Sequence, residues 1–255
     1  RNLYYQVTGR AFNSVPKPNM ERRVFSDFSD FDFDSSELSS VGAKLKSLTL
    51  SDSRLDSIID QNSGTFYTEW TMNFKNSAIF QQEAKTEIKL PVNSTVSRIT
   101  LWINGEEKEG VFAGKDEVKA AYDKIVAKAR DPLLVSYDGN DKVFVQCFPV
   151  PPNGGQMKIK IGITSQLTFE NEKLAYLSLP KIFDNNFTIP KELKHAFWLD
   201  SKEPLDLESN TNLKLTEEKN IYTIRGDIYN KDLLENQPVL KIVRNIQIKN
   251  SWLED

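Results

Sequence analysis

Few side chains here have types and spacings that do chemistry. Asp30, Asp32 and Asp34 alternate as at the start of a calcium loop. Such a loop would need Gly at Ser35 and Glu at Val41, and the interleaved Phe31 and Phe33 suit a strand edge with its acids in solvent. His195 is the single histidine, and no nearby residue supplies the orienting partner or nucleophile that a general base requires. It reads as a half-buried strand residue. Cys147, the single cysteine, alternates with phenylalanines and reads as a small buried hydrophobe. Glu106, Glu107 and Glu109 follow a turn and read as a solvated loop, although a spatial pair of acids for glycoside hydrolysis is invisible to sequence. Trp102, Trp198 and Trp252 are candidate sugar or protein contacts, against the commoner role of packing. Lys115, Lys119, Lys124 and Lys128 are interrupted by Asp116 and Asp123, which marks a solvated face rather than a phosphate track. Asn93-Ser94-Thr95 and Asn186-Phe187-Thr188 match glycosylation acceptors, a pattern short enough to arise by chance.

The bulk composition narrows the classes further. The chain has 255 residues, 33 Lys and Arg against 36 Asp and Glu, and a net charge of -3. There is thus no basic footprint for nucleic acid. One His and one Cys leave no His/Cys zinc site, no redox pair and no intrachain disulfide, so no metal or cofactor is expected. No apolar stretch approaches the ~20 residues that span a bilayer. The first residue is Arg1 rather than Met, which fits an excised piece of a longer chain.

The elements that would position these groups are mostly strands. Residues 1–45 mix Pro-flanked extended chain with an acidic, aromatic and Ser-rich run, and read as a linker or wrapping segment. From 46 to 180 the pattern has period two, as in half-buried strands: 66–74, 84–90, 99–103, 143–148 and 157–163. Asn104-Gly105 marks a hairpin. One helix interrupts them near 115–130, where Val118, Tyr122, Ile125 and Ala129 fall on one face. Asp131-Pro132 stops it. Further strands are expected at 193–199, 221–225 and 238–249, in a C-terminal β-rich subdomain spanning 183–255. The expected fold class is all-β, a β-sandwich with one inserted helix.

Two stretches carry a family resemblance: Tyr122-Asp123-Lys124-Ile125-Val126 leading to Arg130-Asp131-Pro132-Leu133-Leu134, then Phe148-Pro149-Val150-Pro151-Pro152-Asn153-Gly154-Gly155. The segment 46–180 resembles a VIT domain, the module named for vault protein and inter-alpha-trypsin inhibitor heavy chains. The resemblance implies a β-sandwich with one helix and no known catalytic apparatus. It implies structural roles for Tyr122, Arg130, Asp131, Pro132, Leu134, Phe148, Pro149, Pro151, Pro152 and Gly154. In the family a von Willebrand A domain with an Asp-x-Ser-x-Ser metal site usually follows, and the nearest match here, Asp27-Phe28-Ser29-Asp30-Phe31, fails at its last serine. A bacterial subset is membrane-anchored with an exosortase-type sorting signal, which would place this segment outside the cytoplasm.

On the residues themselves, Tyr122 is expected to plug the side of the sandwich, and Asp131 to cap a turn or bridge Arg130. The prolines remove backbone donors, so 149–152 is expected at a sheet edge or crossover, and Gly154-Gly155 to turn the chain into the 157–163 strand. The expected function is non-catalytic protein–protein interaction or scaffolding in a larger cell-envelope protein, with a protein partner, no nucleic acid, and any membrane anchor in other parts of the chain. A carbohydrate-binding module and a two-carboxylate hydrolase are the alternatives.

Overall fold

The computed structural model describes residues 31–32, 41–103, 105–109, 133–139, 141–205, 212–235 and 239–243. Among them the chain is nearly all strand, in three sheets. The largest sheet runs in the order β15 (Leu213–Glu218), β16 (Ile221–Tyr229), β14 (Lys194–Ser201), β2 (Lys44–Asp60), β3 (Thr65–Asn76), β9 (Gly155–Gln166), β5 (Thr95–Ile103) and β6 (Glu106–Glu109). Two short strands, β1 (Phe31–Asp32) and β13 (Phe187–Thr188), also pair with β2. A four-stranded sheet has the order β12 (Lys181–Asn185), β4 (Gln82–Lys89), β8 (Lys142–Val150) and β7 (Leu133–Gly139). A third sheet joins β10 (Thr168–Phe169), β11 (Leu174–Ser178) and β17 (Val239–Val243).

Alternation explains why these segments are strands and which way they face. Along β3 every second residue from Phe66 to Asn76 is buried. Cross-strand register aligns buried side chains into rows: Phe197, Leu55, Trp70, Ile161 and Ile99 lie side by side across β14, β2, β3, β9 and β5. That inner face packs with Ile88, Val143, Val145 and Cys147 of the four-stranded sheet into one core. Burial of such rows is the dominant stabilising term, at roughly 25 cal/mol per Å² of apolar surface. Cys147 is fully buried, and burial pushes its thiol well above the ordinary range. A thiol reagent should therefore leave the native chain unmodified and titrate one thiol after denaturation; rapid native labelling would contradict this placement.

In β2 a bulge between Leu50 and Asp52 switches the buried parity, from Leu48 and Leu50 to Ser53, Leu55, Ser57 and Ile59. The bulge lets one long strand bend around the core while keeping one face inward.

The strand expected at 221–225 extends to Tyr229, and a six-residue helix, α1 (Asn230–Glu235), follows it. The C-terminal strands share their sheets with the earlier ones. β14 pairs in parallel with β2, and β12 pairs with β4. Strands from both sides of positions 180–183 therefore share the same sheets. The expected helix at 115–130, and most of the expected wrapping segment, lie outside the described residues.

The proline stretch is a crossover, with one difference from expectation. Pro149 lies within β8, which has neighbours on both sides. It is tolerated there because β4 has a bulge between Gln82 and Ala84, and the paired residues of β7 begin opposite Cys147, before Pro149 is reached. The Phe148–Pro149 peptide is cis. Asn153 and Gly154 then take positive φ, 56° and 85°, and turn the chain into β9. Asn153 N–H donates to Ala78 O and Gly154 N–H to Asn76 O, each at 2.7 Å. The buried Asn76 bolts this corner from its side chain: Nδ2 donates to Phe80 O (2.8 Å) and Val150 O (3.0 Å), and Oδ1 accepts from Ala78 N–H (2.9 Å).

Candidate functional site

Three constellations of polar groups stand out, and they differ in access. The first is buried. Trp70 Nε1–H donates to Ser53 Oγ (2.9 Å), Ser53 Oγ lies 2.7 Å from His195 Nδ1, and His195 Nε2 lies 3.2 Å from Asn230 Oδ1. Indole can only donate and an amide oxygen only accept, so the chain runs one way. Ser53 donates to Nδ1, and Nε2–H donates to Asn230. Burial pushes the His195 pKa down, only partly countered by Asn230, which favours this neutral form. The Ser–His distance is that of a nucleophile and its base. Ser53 and His195 are, however, both 0% exposed, so this is a core tie. The expected half-buried histidine is thus fully buried, and its partners come from β2 and α1.

The second constellation covers the solvent face of the large sheet over β3, β9, β5 and β6. Glu106, Glu107 and Glu109 are on β6, not in a loop, because that strand pairs antiparallel with β5, Ile103 opposite Glu106. Arg98 reaches Glu109 (2.5 Å) and Glu69 (3.1 Å), and Lys160 reaches Glu107 (3.0 Å) and Glu69 (3.2 Å). Burial pushes the Glu69 carboxyl up, but hydrogen bonds from Lys160, Tyr67 and Arg98 outweigh it and hold it below its ordinary range. Tyr67 is pushed up to about 12 by burial and by the Glu69 charge. Gly162 lies beneath: a Cβ there would meet the Tyr67 hydroxyl and come within 2.7 Å of Arg98 Cβ. Trp102 sits beside this network with Lys158 Nζ 4.2 Å from its ring centroid.

The third lies at the other end of the same face, where β14, β16 and β15 enclose a hollow of about 260 Å³ lined by Trp198, Asp200, Thr216, Ile221, Thr223 and Arg225 among others. The Arg225 guanidinium stacks 3.4 Å from the Trp198 centroid. Asp200 Oδ1 accepts from Trp198 Nε1–H (2.8 Å) and from the Thr223 hydroxyl (2.7 Å), which fixes the indole. Arg54 stands 5.6 Å from the same ring and pairs with Asp56.

Of the motif residues, Leu134 is buried on β7, Phe148 and Pro149 are on β8, and Pro151, Pro152 and Gly154 form the crossover. Tyr122, Arg130, Asp131 and Pro132 lie outside the described residues, as do Asp30, Asp34, Trp252 and the four candidate helix lysines. Among the described residues no group of three or more His, Cys, Asp or Glu could hold a metal ion, and no helix is long and apolar enough to cross a membrane. The two glycosylation sequences differ sharply. Asn186 is buried, with Nδ2 donating to Glu83 O (2.9 Å) and Oδ1 accepting from Lys85 N–H (2.8 Å), whereas Asn93 is exposed. Expressed through a glycosylating secretory pathway, the folded chain should carry glycan at Asn93 alone; glycan on Asn186 by peptide mass spectrometry would count against this core.

Residues 54–163 match the family described as Vault protein inter-alpha-trypsin domain, VIT. No curated protein matches the sequence. A putative nutrient binding protein from Legionella pneumophila is similar in structure, with TM-score 0.45, 9% identity, and coverage of 78% of this chain and 67% of that one. Yeast LTA4 hydrolase in complex with bestatin aligns with TM-score 0.42 and 11% identity, over 86% of this chain and 32% of that one. Native leukotriene A4 hydrolase from Saccharomyces cerevisiae aligns with TM-score 0.39 and 10% identity, over 77% and 29%. The chain spans about a third of the hydrolases' length.

Proposed function

Because residues 54–163 match the VIT domain family, we propose that this chain is a non-catalytic protein-interaction or scaffolding module, the extracytoplasmic part of a larger, anchored cell-envelope protein. One observation carries the reading. The solvent face of the large sheet displays Trp102, Tyr67 and Arg98 at one end and Trp198, Arg54 and Arg225 at the other. Trp, Tyr and Arg are the residue types that dominate binding energy at protein interfaces. Sugar binding favours open aromatic faces, and both indoles already carry a cation over the ring. A glycosidase acid needs a raised pKa, and Glu69 is held low by its cations.

Photo-crosslinking in the source cells tests this. With a benzophenone side chain at Thr71, central on the solvent face, the full-length protein should give a discrete protein adduct; at Val92, in the loop before β5, it should give none. The protein should fractionate with the envelope. Cytosolic fractionation, absence of any adduct, or strong glycan-array binding would overturn the proposal.

A further inference from the structure

Three arginines are among the described residues, and they differ in one respect. Arg54 is paired with Asp56, and Arg98 with Glu69 and Glu109. The Arg225 guanidinium makes no ion pair or hydrogen bond with any described residue. Its contact among them is the stack on Trp198. The stack holds the guanidinium flat and leaves its rigid fork of N–H donors at the rim of the hollow.

We propose that the hollow beside Trp198 is a docking site for an extended peptide bearing a carboxylate, which the Arg225 fork receives in bidentate fashion. The assignment rests on the interaction reading above and names the place and chemistry of one contact.

The surroundings select among anions. Arg225 and Lys219 are opposed by Asp200 and Glu218 on the same lining, so the hollow has no net charge. A polyanion such as nucleic acid gains nothing there, whereas a single carboxylate flanked by N–H donors finds complements for both signs. Asp200 uses only Oδ1 for Trp198 and Thr223, and Oδ2 accepts nothing from the described residues. It can take a backbone N–H of the peptide. Ile221, 46% exposed, offers an apolar wall to a neighbouring side chain. The site is preorganised, because the indole is already fixed by Asp200 and the guanidinium by the indole, so little side-chain entropy is lost on binding. Gly226 secures the strand beneath, since a Cβ there would meet the Asn212 carbonyl oxygen and come within 3.0 Å of Leu213 Cα.

The test is an NMR titration of the chain with acetyl-Leu-Glu-Leu-amide, read at the Trp198 indole N–H, one of four tryptophans. The Glu tripeptide should shift that resonance with a Kd in the roughly millimolar range expected of a fragment. Acetyl-Leu-Gln-Leu-amide should bind about fivefold or more weakly, since a neutral amide replaces the charge-assisted fork. Arg225→Gln should abolish the response while the remaining spectrum shows the fold intact. Equal responses to Glu and Gln peptides, a response retained in R225Q, a response to inorganic phosphate alone, or none would each overturn the assignment. If the peptide fails while crosslinks form at Thr71, the site assignment falls and the interaction reading stands. If both fail, both fall.

Discussion

Ser53→Ala should destabilise the chain by about 2–6 kcal/mol, because it strips the partner from two buried groups at once, at about 1–3 kcal/mol each. The Trp70 indole N–H loses its acceptor and His195 Nδ1 loses its donor, in a core where Ser53 and His195 are fully buried. Urea denaturation at pH 8 measures this, with an unchanged m-value showing that the folded state keeps its extent. A loss below about 0.5 kcal/mol, the range of ordinary surface substitutions, would show that the tie contributes little. The same group makes stability depend on pH. The folded pKa of His195 lies below the unfolded value of about 6.5. Above that value neither state holds the proton and stability is full. As pH falls below it the unfolded chain binds the proton first, so stability declines until the folded pKa is passed. His195 is the single histidine, so the part of the decline lying above the carboxylate range should vanish in His195→Gln. Directly, the imidazole C2 proton should titrate below about pH 6.5 in the folded chain; titration above it would contradict the buried neutral form.

Gly155→Ala should cost about 1–3 kcal/mol or more, the range for overpacking a well-filled site. A Cβ at Gly155 would lie 2.6 Å from both the Pro151 carbonyl oxygen and Pro151 Cβ. Backbone and a pyrrolidine ring cannot yield as a flexible side chain would. Gly154→Ala tests a different cause at the adjacent position. Nothing obstructs its Cβ but one lysine methylene 3.9 Å away, and only φ at 85° is strained. It should lose about 1–2 kcal/mol, the penalty of left-handed backbone. Thermal or chemical denaturation of both variants separates the two effects, and a neutral Gly155→Ala would mean that the crossover is looser than described.

These predictions fall where sequence patterns were least informative. The alternation in β3, β9 and β14 was legible because each of these strands keeps one face in the core along its whole length. β2 was not, because the bulge at 50–52 moves the buried set from even to odd positions and blurs the period. The β5–β6 hairpin was legible, but Glu106, Glu107 and Glu109 read as loop. Their roles depend on Arg98 and Lys160, and Lys160 lies on β9, far along the chain. For His195 the error was one of burial. Its hydroxyl partner, Ser53, lies 142 positions away and arrives only through the parallel pairing of β14 with β2.

By itself the sequence determined the strand-rich class, the absence of a cysteine or histidine pair, the turn glycines at 105 and 154, and the family match over 54–163. Each of these depends on composition or on neighbours a few residues apart. Tertiary structure alone decided which polar groups meet: Ser53 with His195, Asn76 with the corner at Val150, Arg98 with Glu69, and Arg225 with Trp198. Local backbone preference sets where a side chain points within its strand. Which side chains it then meets depends on strand order and register in the sheet, and those follow from burying all the apolar rows together.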